Sequence, residues 1–171
     1  MAENIPDPKD LAPLDQSTLD EIINKHAMYL RGQTGGARCV LKYRNLSYLD
    51  FKRKDLSQAD FTGSIFIEAN LAFGKFASAS FFACDLRNAN LREGNFARAD
   101  FRGAYVAGAN LSGADMAEVD LREGKIMKRG EKGELEDRKR SGGSGAKTIF
   151  TGAKLTETNM AGAQAKSADF S

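Results

Sequence analysis

A large aliphatic or aromatic residue stands at every fifth position from Leu41 to Ile126 without a miss. The run is Leu41, Leu46, Phe51, Leu56, Phe61, Phe66, Leu71, Phe76, Phe81, Leu86, Leu91, Phe96, Phe101, Val106, Leu111, Met116, Leu121 and Ile126. Two residues before each lies a second column, in which fourteen of eighteen members are Ala, Gly, Ser or Cys. Between the two sits Asp or Asn in twelve of eighteen repeats, among them Asp60, Asn70, Asp85, Asn90, Asp100 and Asn110. The period breaks after Ile126 and resumes at Phe150, Leu155, Met160, Ala165 and Phe170. A period of five suits neither a helix nor a strand. It requires a chain that turns a corner after each short extended piece. One large and one small inward residue per repeat fit a narrow square coil of four sides. Successive coils then stack about 4.8 Å apart, with backbone hydrogen bonds along the axis.

Four interior stacks follow from a coil of twenty residues. The first wall carries Leu41, Phe61, Phe81, Phe101 and Leu121, and the second Leu46, Phe66, Leu86, Val106 and Ile126. The third carries Phe51, Leu71, Leu91 and Leu111, and the fourth Leu56, Phe76, Phe96 and Met116. Phe61, Phe81 and Phe101 are expected to form an aromatic ladder. The predicted fold is an all-β repeat solenoid of about 5–6 coils.

The blocks Ala59-Asp60-Phe61-Thr62-Gly63, Ala69-Asn70-Leu71, Ala89-Asn90-Leu91-Arg92-Glu93, Ala99-Asp100-Phe101-Arg102-Gly103 and Ala109-Asn110-Leu111-Ser112-Gly113 match an A(D/N)LXX signature. The chain thereby resembles the pentapeptide-repeat proteins, over roughly 39–126 and 148–171. The resemblance implies a right-handed quadrilateral β-helix. Some members of that family resemble duplex DNA in shape and charge, bind DNA gyrase and protect it from quinolones.

Outside the repeat, residues 1–16 hold all three prolines and many charges, and read as a disordered lead. A capping α-helix is expected over 17–32. Thr18-Leu19-Asp20-Glu21 forms a capping box, Leu19, Ile22, Ile23, His26 and Leu30 share one face, and Gly32 is the stop. Its apolar face would cover the first coil, where Arg44, Leu49 and Lys54 replace the usual small residues. The repeat breaks off at Phe170-Ser171. That leaves three readings open: a longer protein, an end packed on a second copy, or an uncapped end. The insertion, 127–147, carries seven basic and four acidic residues and a Gly/Ser stretch, and is expected to be a mobile excursion from one corner. It is either a tolerated loop or a charged recognition loop through Lys128, Arg129, Arg138, Lys139 and Arg140.

Composition narrows the function. Lys and Arg number 25 against 23 Asp and Glu, a net charge of +2. Within 38–126 the count is 13 basic to 11 acidic, which disfavours both a duplex mimic and a nucleic-acid binder. No apolar run is long enough for a membrane helix. The one histidine, His26, reads as a packed residue with a hydrogen-bonded ring. Cys39 and Cys84 fall on different walls of the small column and read as buried free thiols, consistent with a reducing compartment such as the cytoplasm. No catalytic, metal or cofactor constellation is visible, so the expectation is a non-enzymatic interaction module without a cofactor. Its partner would be another protein or a second copy, met at the C-terminal end or an exposed corner. Candidate contact residues are Ile65, Ile67, Phe82 and Tyr105, which are apolar at outward positions around one corner, with Arg102 and Arg122 beside them. That corner could equally lie beneath the insertion or the N-terminal lead. The arginines read more readily as a solvated ladder with neighbouring acids than as a phosphate site. The alternatives are gyrase regulation by DNA mimicry and nucleic-acid binding through the insertion.

Overall fold

The computed structural model describes residues 7–129, 134–138 and 147–171. Isolated parallel bridges join residues twenty apart in four columns, as in Val40–Asp60–Ser80–Asp100–Asp120 and Asn45–Ile65–Asp85–Tyr105. The interior residues from Leu41 to Leu121 are all 5% exposed or less. Phe81 stacks between Phe61 and Phe101 at 5.2 and 4.9 Å, and Phe76 on Phe96 at 5.2 Å. The expected ladder is therefore present, with a second one beside it. In this spine each ring buries its faces against the coils above and below. Of the replacements in the first coil, Leu49 is buried while Arg44 and Lys54 remain exposed.

Each step is closed by a turn, as where the Ser64 N–H donates to the Phe61 carbonyl at 3.0 Å. The third turn residue has positive φ, as type II turns require. Gly occupies that place at Gly103 (φ 66), but fourteen other described residues adopt positive φ without being Gly. The Asp/Asn column supplies compensation. The Thr62 N–H donates to Asp60 Oδ1 at 3.1 Å, and the same bond recurs at Asn70, Asn90, Asp100, Asn110 and Asp120. A short side-chain acceptor two residues ahead of a backbone N–H is an Asx turn. Asp and Asn perform it equally well, which is why the repeat tolerates either.

The polar members of the small column are also used. Ser64 Oγ donates to the Leu41 carbonyl at 2.6 Å, and Thr148 Oγ1 to the Phe101 carbonyl at 2.9 Å. Cys84 Sγ makes the equivalent bond to the Phe61 carbonyl at 3.1 Å. Both cysteines are buried and free; burial pushes the Cys39 thiol up to about 12 and the Cys84 thiol higher still.

Two expectations at the N-terminal side need correction. Residues 7–15 are not a disordered lead. Pro8–Asp10 is a 3₁₀ turn, the Leu14 N–H donates to the Asn45 carbonyl, and Asn45 Nδ2 donates to the Leu11 carbonyl, both at 2.9 Å. Residues 1–6 lie outside the described residues. The helix, α1, runs Gln16–Leu30, and its N-cap is Asp15, whose Oδ1 accepts the Thr18 N–H at 2.8 Å. Thr18 is thus capped rather than capping. At the other end the Gln33 and Gly32 N–H groups donate to the Met28 and Tyr29 carbonyls, a Schellman pattern with Gly32 at φ 65. Leu19, Ile23 and His26 are buried, the first two within the same core as the coil residues.

The insertion also departs from expectation. Tyr105 bridges to Ile149, 44 residues on where the preceding bridges step by twenty, so 24 residues are extra, and the same step of 44 recurs at Asn110–Lys154, Asp115–Asn159 and Asp120–Gln164. Ile126 therefore does not occupy the second wall. It opens β1 (Ile126–Arg129), which pairs antiparallel with β2 (Leu135–Arg138), and Phe150 takes its interior place at 1% exposure. The chain leaves the coil after Leu121 and its described stem is the paired β1 and β2, while residues 130–133 and 139–146 of the expected mobile excursion lie outside the described residues. Beyond it, the rings of Phe150 and Phe170 stack at 4.9 Å.

Candidate interaction surface

The corner between the first and second walls holds Phe82, Arg102 and Arg122, with Ile65 and Tyr105 on the adjoining second wall, while Ile67 lies one corner on, in the turn after Phe66. Ile65 is not exposed: it is 3% accessible. Ile67, Phe82, Tyr105 and Arg102 are half-buried, and Arg122 is exposed. The side chains of Lys128, Arg129 and Arg138 and the whole of Lys139 and Arg140 lie outside the described residues.

The stem of the insertion covers part of this corner. Along it run Gly63, Ala83 and Gly103. A methyl at Gly103 would meet the Gly124 carbonyl, and one at Gly124 would lie 2.7 Å from the Phe82 ring. A methyl at Gly63 would stand 3.0 Å from Ile126 Cδ1 and 2.6 Å from the Tyr43 ring. The segment thus turns back over the preceding coils. Thr148 fixes its return, because its hydroxyl accepts the Gly103 N–H at 3.0 Å and lies 3.2 Å from the Arg122 carbonyl.

The arginines are committed to neighbours. Arg102 Nη2 sits 2.8 Å from Asp100 Oδ2, its Nε 3.7 Å from Asp120 Oδ2, and its guanidinium lies 5.1 Å over the Phe82 ring. Arg122 pairs with Asp120 at 2.7 Å, Lys42 with Asp60 at 3.0 Å, and Arg87 with the buried Asp85 at 2.7 Å while lying 5.2 Å over Tyr105. The hydrogen bond from Arg122 holds the Asp120 carboxyl below its usual range, with help from the Arg122 backbone and the charge of Arg102. At Asp60 burial raises the pKa, but the Thr62 and Lys42 hydrogen bonds outweigh it and the net shift is downward. Each of these cations lies beside a carboxylate.

His26 joins α1 to the first coil. Its Nδ1 accepts the Cys39 N–H at 2.9 Å and its Nε2 faces the Ser57 carbonyl at 3.0 Å, so the ring is the neutral tautomer protonated on Nε2. Burial lowers its pKa, against the opposing pull of the Ser57 carbonyl and Asp55. Among the described residues no group of three or more His, Cys, Asp or Glu could hold a metal ion. No helix among them is long and apolar enough to cross a membrane.

The sequence model of the pentapeptide repeats matches eight copies, over residues 45–72, 79–116 and 146–171, more than half of the chain. This chain belongs to the pentapeptide repeat family. Proteins of that family fold as right-handed quadrilateral β-helices and are generally non-enzymatic structural repeat proteins. No curated protein sequence matches the chain. Among solved structures it is similar to HetL of the cyanobacterium Nostoc sp. strain PCC 7120, a pentapeptide repeat protein involved in heterocyst differentiation regulation. That match has 24% identity and TM-score 0.46, over 75% of this chain and 52% of HetL. A pentapeptide repeat protein of the Arabidopsis thaliana thylakoid lumen matches at 24% identity and TM-score 0.26, over 69% of this chain and 77% of its own. QnrB1, a plasmid-mediated fluoroquinolone resistance protein, matches at 14% identity and TM-score 0.25, over 75% of this chain and 65% of its own. The pentapeptide repeat chain described here spans about half the length of HetL.

The sequence reading missed a third arginine–aromatic stack, on the corner between the third and fourth walls. There Arg53 lies 5.1 Å and Arg92 5.7 Å from the Phe73 ring centroid. The signal was available in the run Lys52-Arg53-Lys54 and in Phe73, twenty residues after Arg53.

Proposed function

We propose that this chain is a non-catalytic scaffold for protein–protein contact. In this reading it is a right-handed quadrilateral β-helix, closed at one end by α1, that presents the hairpin β1–β2 to a protein partner. The seating of the hairpin stem carries the reading. Gly124 lies against Phe82 and the Arg102 backbone, Ile126 reaches Gly63, and Thr148 ties the exit to the coil. A rigid repeat wall that aims a loop at a fixed angle spares the loop part of the ordering cost of binding. Gyrase regulation by DNA mimicry draws less support, because Arg102, Arg122 and Lys42 neutralise the acidic column of the first wall.

Removing Arg122–Gly145 tests this directly. The deletion sets Phe150 five residues after Leu121 and Thr148 in the small column, so the repeat runs on unbroken. The expected variant unfolds in one cooperative transition and no longer captures the partner cross-linked by the full chain. Capture unchanged by the deletion would overturn the assignment to the hairpin.

A further inference from the structure

We propose that the corner formed by Lys52, Arg53, Lys54, Phe73 and Arg92 binds an acidic linear segment of a protein partner, independently of the hairpin. Phe73 is the first observation. It is 39% exposed at φ 58, a conformation that a bulky residue adopts at a cost and that the same column fills with Gly at Gly113. Neither burial nor turn geometry explains a phenylalanine there.

What Phe73 does is hold guanidinium groups. Arg53 comes from the preceding coil and Arg92 from the following one, at 5.1 and 5.7 Å from the ring centroid. Two coil steps place these cations roughly 10 Å apart. Lys52, Arg53 and Lys54 have no carboxylate within ion-pair distance among the described residues, although Asp50 and Asp55 flank them. Asp55 pairs instead with Lys75 at 3.9 Å, and Asp50 Oδ1 accepts the Lys52 N–H at 2.9 Å. Among the described residues the one carboxylate within ion-pair distance of Arg92 is that of Glu93, at a long 3.7 Å, and it lies over Gly113.

The chemistry of the stack selects the class of partner. Single-stranded nucleic acid gains affinity by stacking bases on aromatic faces. Guanidinium groups already lie over the Phe73 ring, which leaves its edge to solvent. An edge between two cations fits an apolar side chain between two carboxylates. In an extended peptide, positions about three apart span the same roughly 10 Å. The partner segment is therefore expected to carry two acidic residues at that spacing with a Leu, Ile or Phe between them.

The test uses the full chain, fluorescently labelled, on an array of short peptides in which two Glu flank a Leu at varied spacing. Matched arrays carry Gln for Glu, and oligothymidylate is titrated in the same buffer. Retention is expected to peak at the predicted spacing, to vanish with Gln and to exceed binding to oligothymidylate. Phe73→Gly, Arg53→Gln and Asn90→Asp are each expected to weaken binding by roughly fivefold or more, the last by pairing Arg92. Phe73→Gly leaves the turn in a conformation Gly prefers, so its melting temperature should hold or rise while binding falls. Arg102→Gln should change nothing. Equal binding of the Gln peptides, tighter binding of the oligonucleotide, or indifference to all three substitutions would overturn the proposal.

Discussion

Arg102 lies 5.1 Å over the Phe82 ring on the first wall, and Arg53 lies 5.1 Å over the Phe73 ring at the edge of the third. The two stacks use the same residue types on the same scaffold, yet their surroundings are opposite. Beside Arg102 stand Asp100 and Asp120, and the insertion stem presses on Phe82. The places on the third wall that correspond, beside Arg92, are Asn90 and Asn110; Asp50 precedes Arg53 but makes no ion pair with it, and Phe73 is left exposed. Asp and Asn are interchangeable for the turn, because each accepts the backbone N–H two residues ahead. They are not interchangeable for charge. The alternation that the fold ignores separates Arg102, which is paired with Asp100, from Arg92, which follows Asn90.

Breaking the covered wall should produce the largest effect. Gly103→Ala puts a methyl into the Gly124 carbonyl at φ 66, so two backbones must part. Denaturant unfolding should show a loss of about 2–3 kcal/mol. The hairpin stem should also become accessible to protease, whereas Ala at Gly113, which meets only the Glu93 side chain, should cost less. If both substitutions cost the same, the stem is not seated as described.

A middle-sized effect should reach both walls through the end they share. The folded-state pKa of His26 lies below its ordinary value because the ring is buried, so the unfolded chain takes up the proton first. Its contribution is complete above about pH 6.5 and is lost as pH falls from there through the folded value. A proton on Nδ1 would face the Cys39 N–H, donor against donor. Melting temperature should therefore drop across this window in the parent chain, and the drop should shrink in His26→Gln.

The smallest effect sharpens the contrast between the walls. Asp100→Asn preserves the turn acceptor but removes the closest partner of Arg102, and the exposed pair contributes less than about 1 kcal/mol. Stability should barely move. Binding of the acidic peptides to the first wall should stay absent while the stem covers Phe82, and should emerge when this change is combined with removal of Arg122–Gly145.

Much of the architecture was readable because it is periodic. The interior from Leu41 to Leu121, the aromatic ladder and the buried cysteines followed from counting in fives, and the packed His26 ring from the helical spacing of α1. The errors fell where periodicity had no voice. Ile126 matched the period by coincidence, and only the pairing of Tyr105 with Ile149 reveals that Phe150 fills that place. Asp15 was overlooked as a cap because Thr18 offered a familiar pattern three residues on. Residues 7–15 looked structureless by composition, yet Asn45 binds them through groups far away in sequence.

By itself the sequence determined the coil: large and small side chains at fixed spacing leave one way to fill a narrow interior, and family membership follows from the same spacing. Tertiary structure decided the surface. Whether Arg102 is paired, whether Phe82 lies beneath the stem, and whether Phe73 is bare depend on residues one coil away or on a stem that folds back over earlier coils. A local pattern can specify an inward side chain, because every coil repeats the same neighbours. An outward side chain acquires its neighbours only when the coils stack.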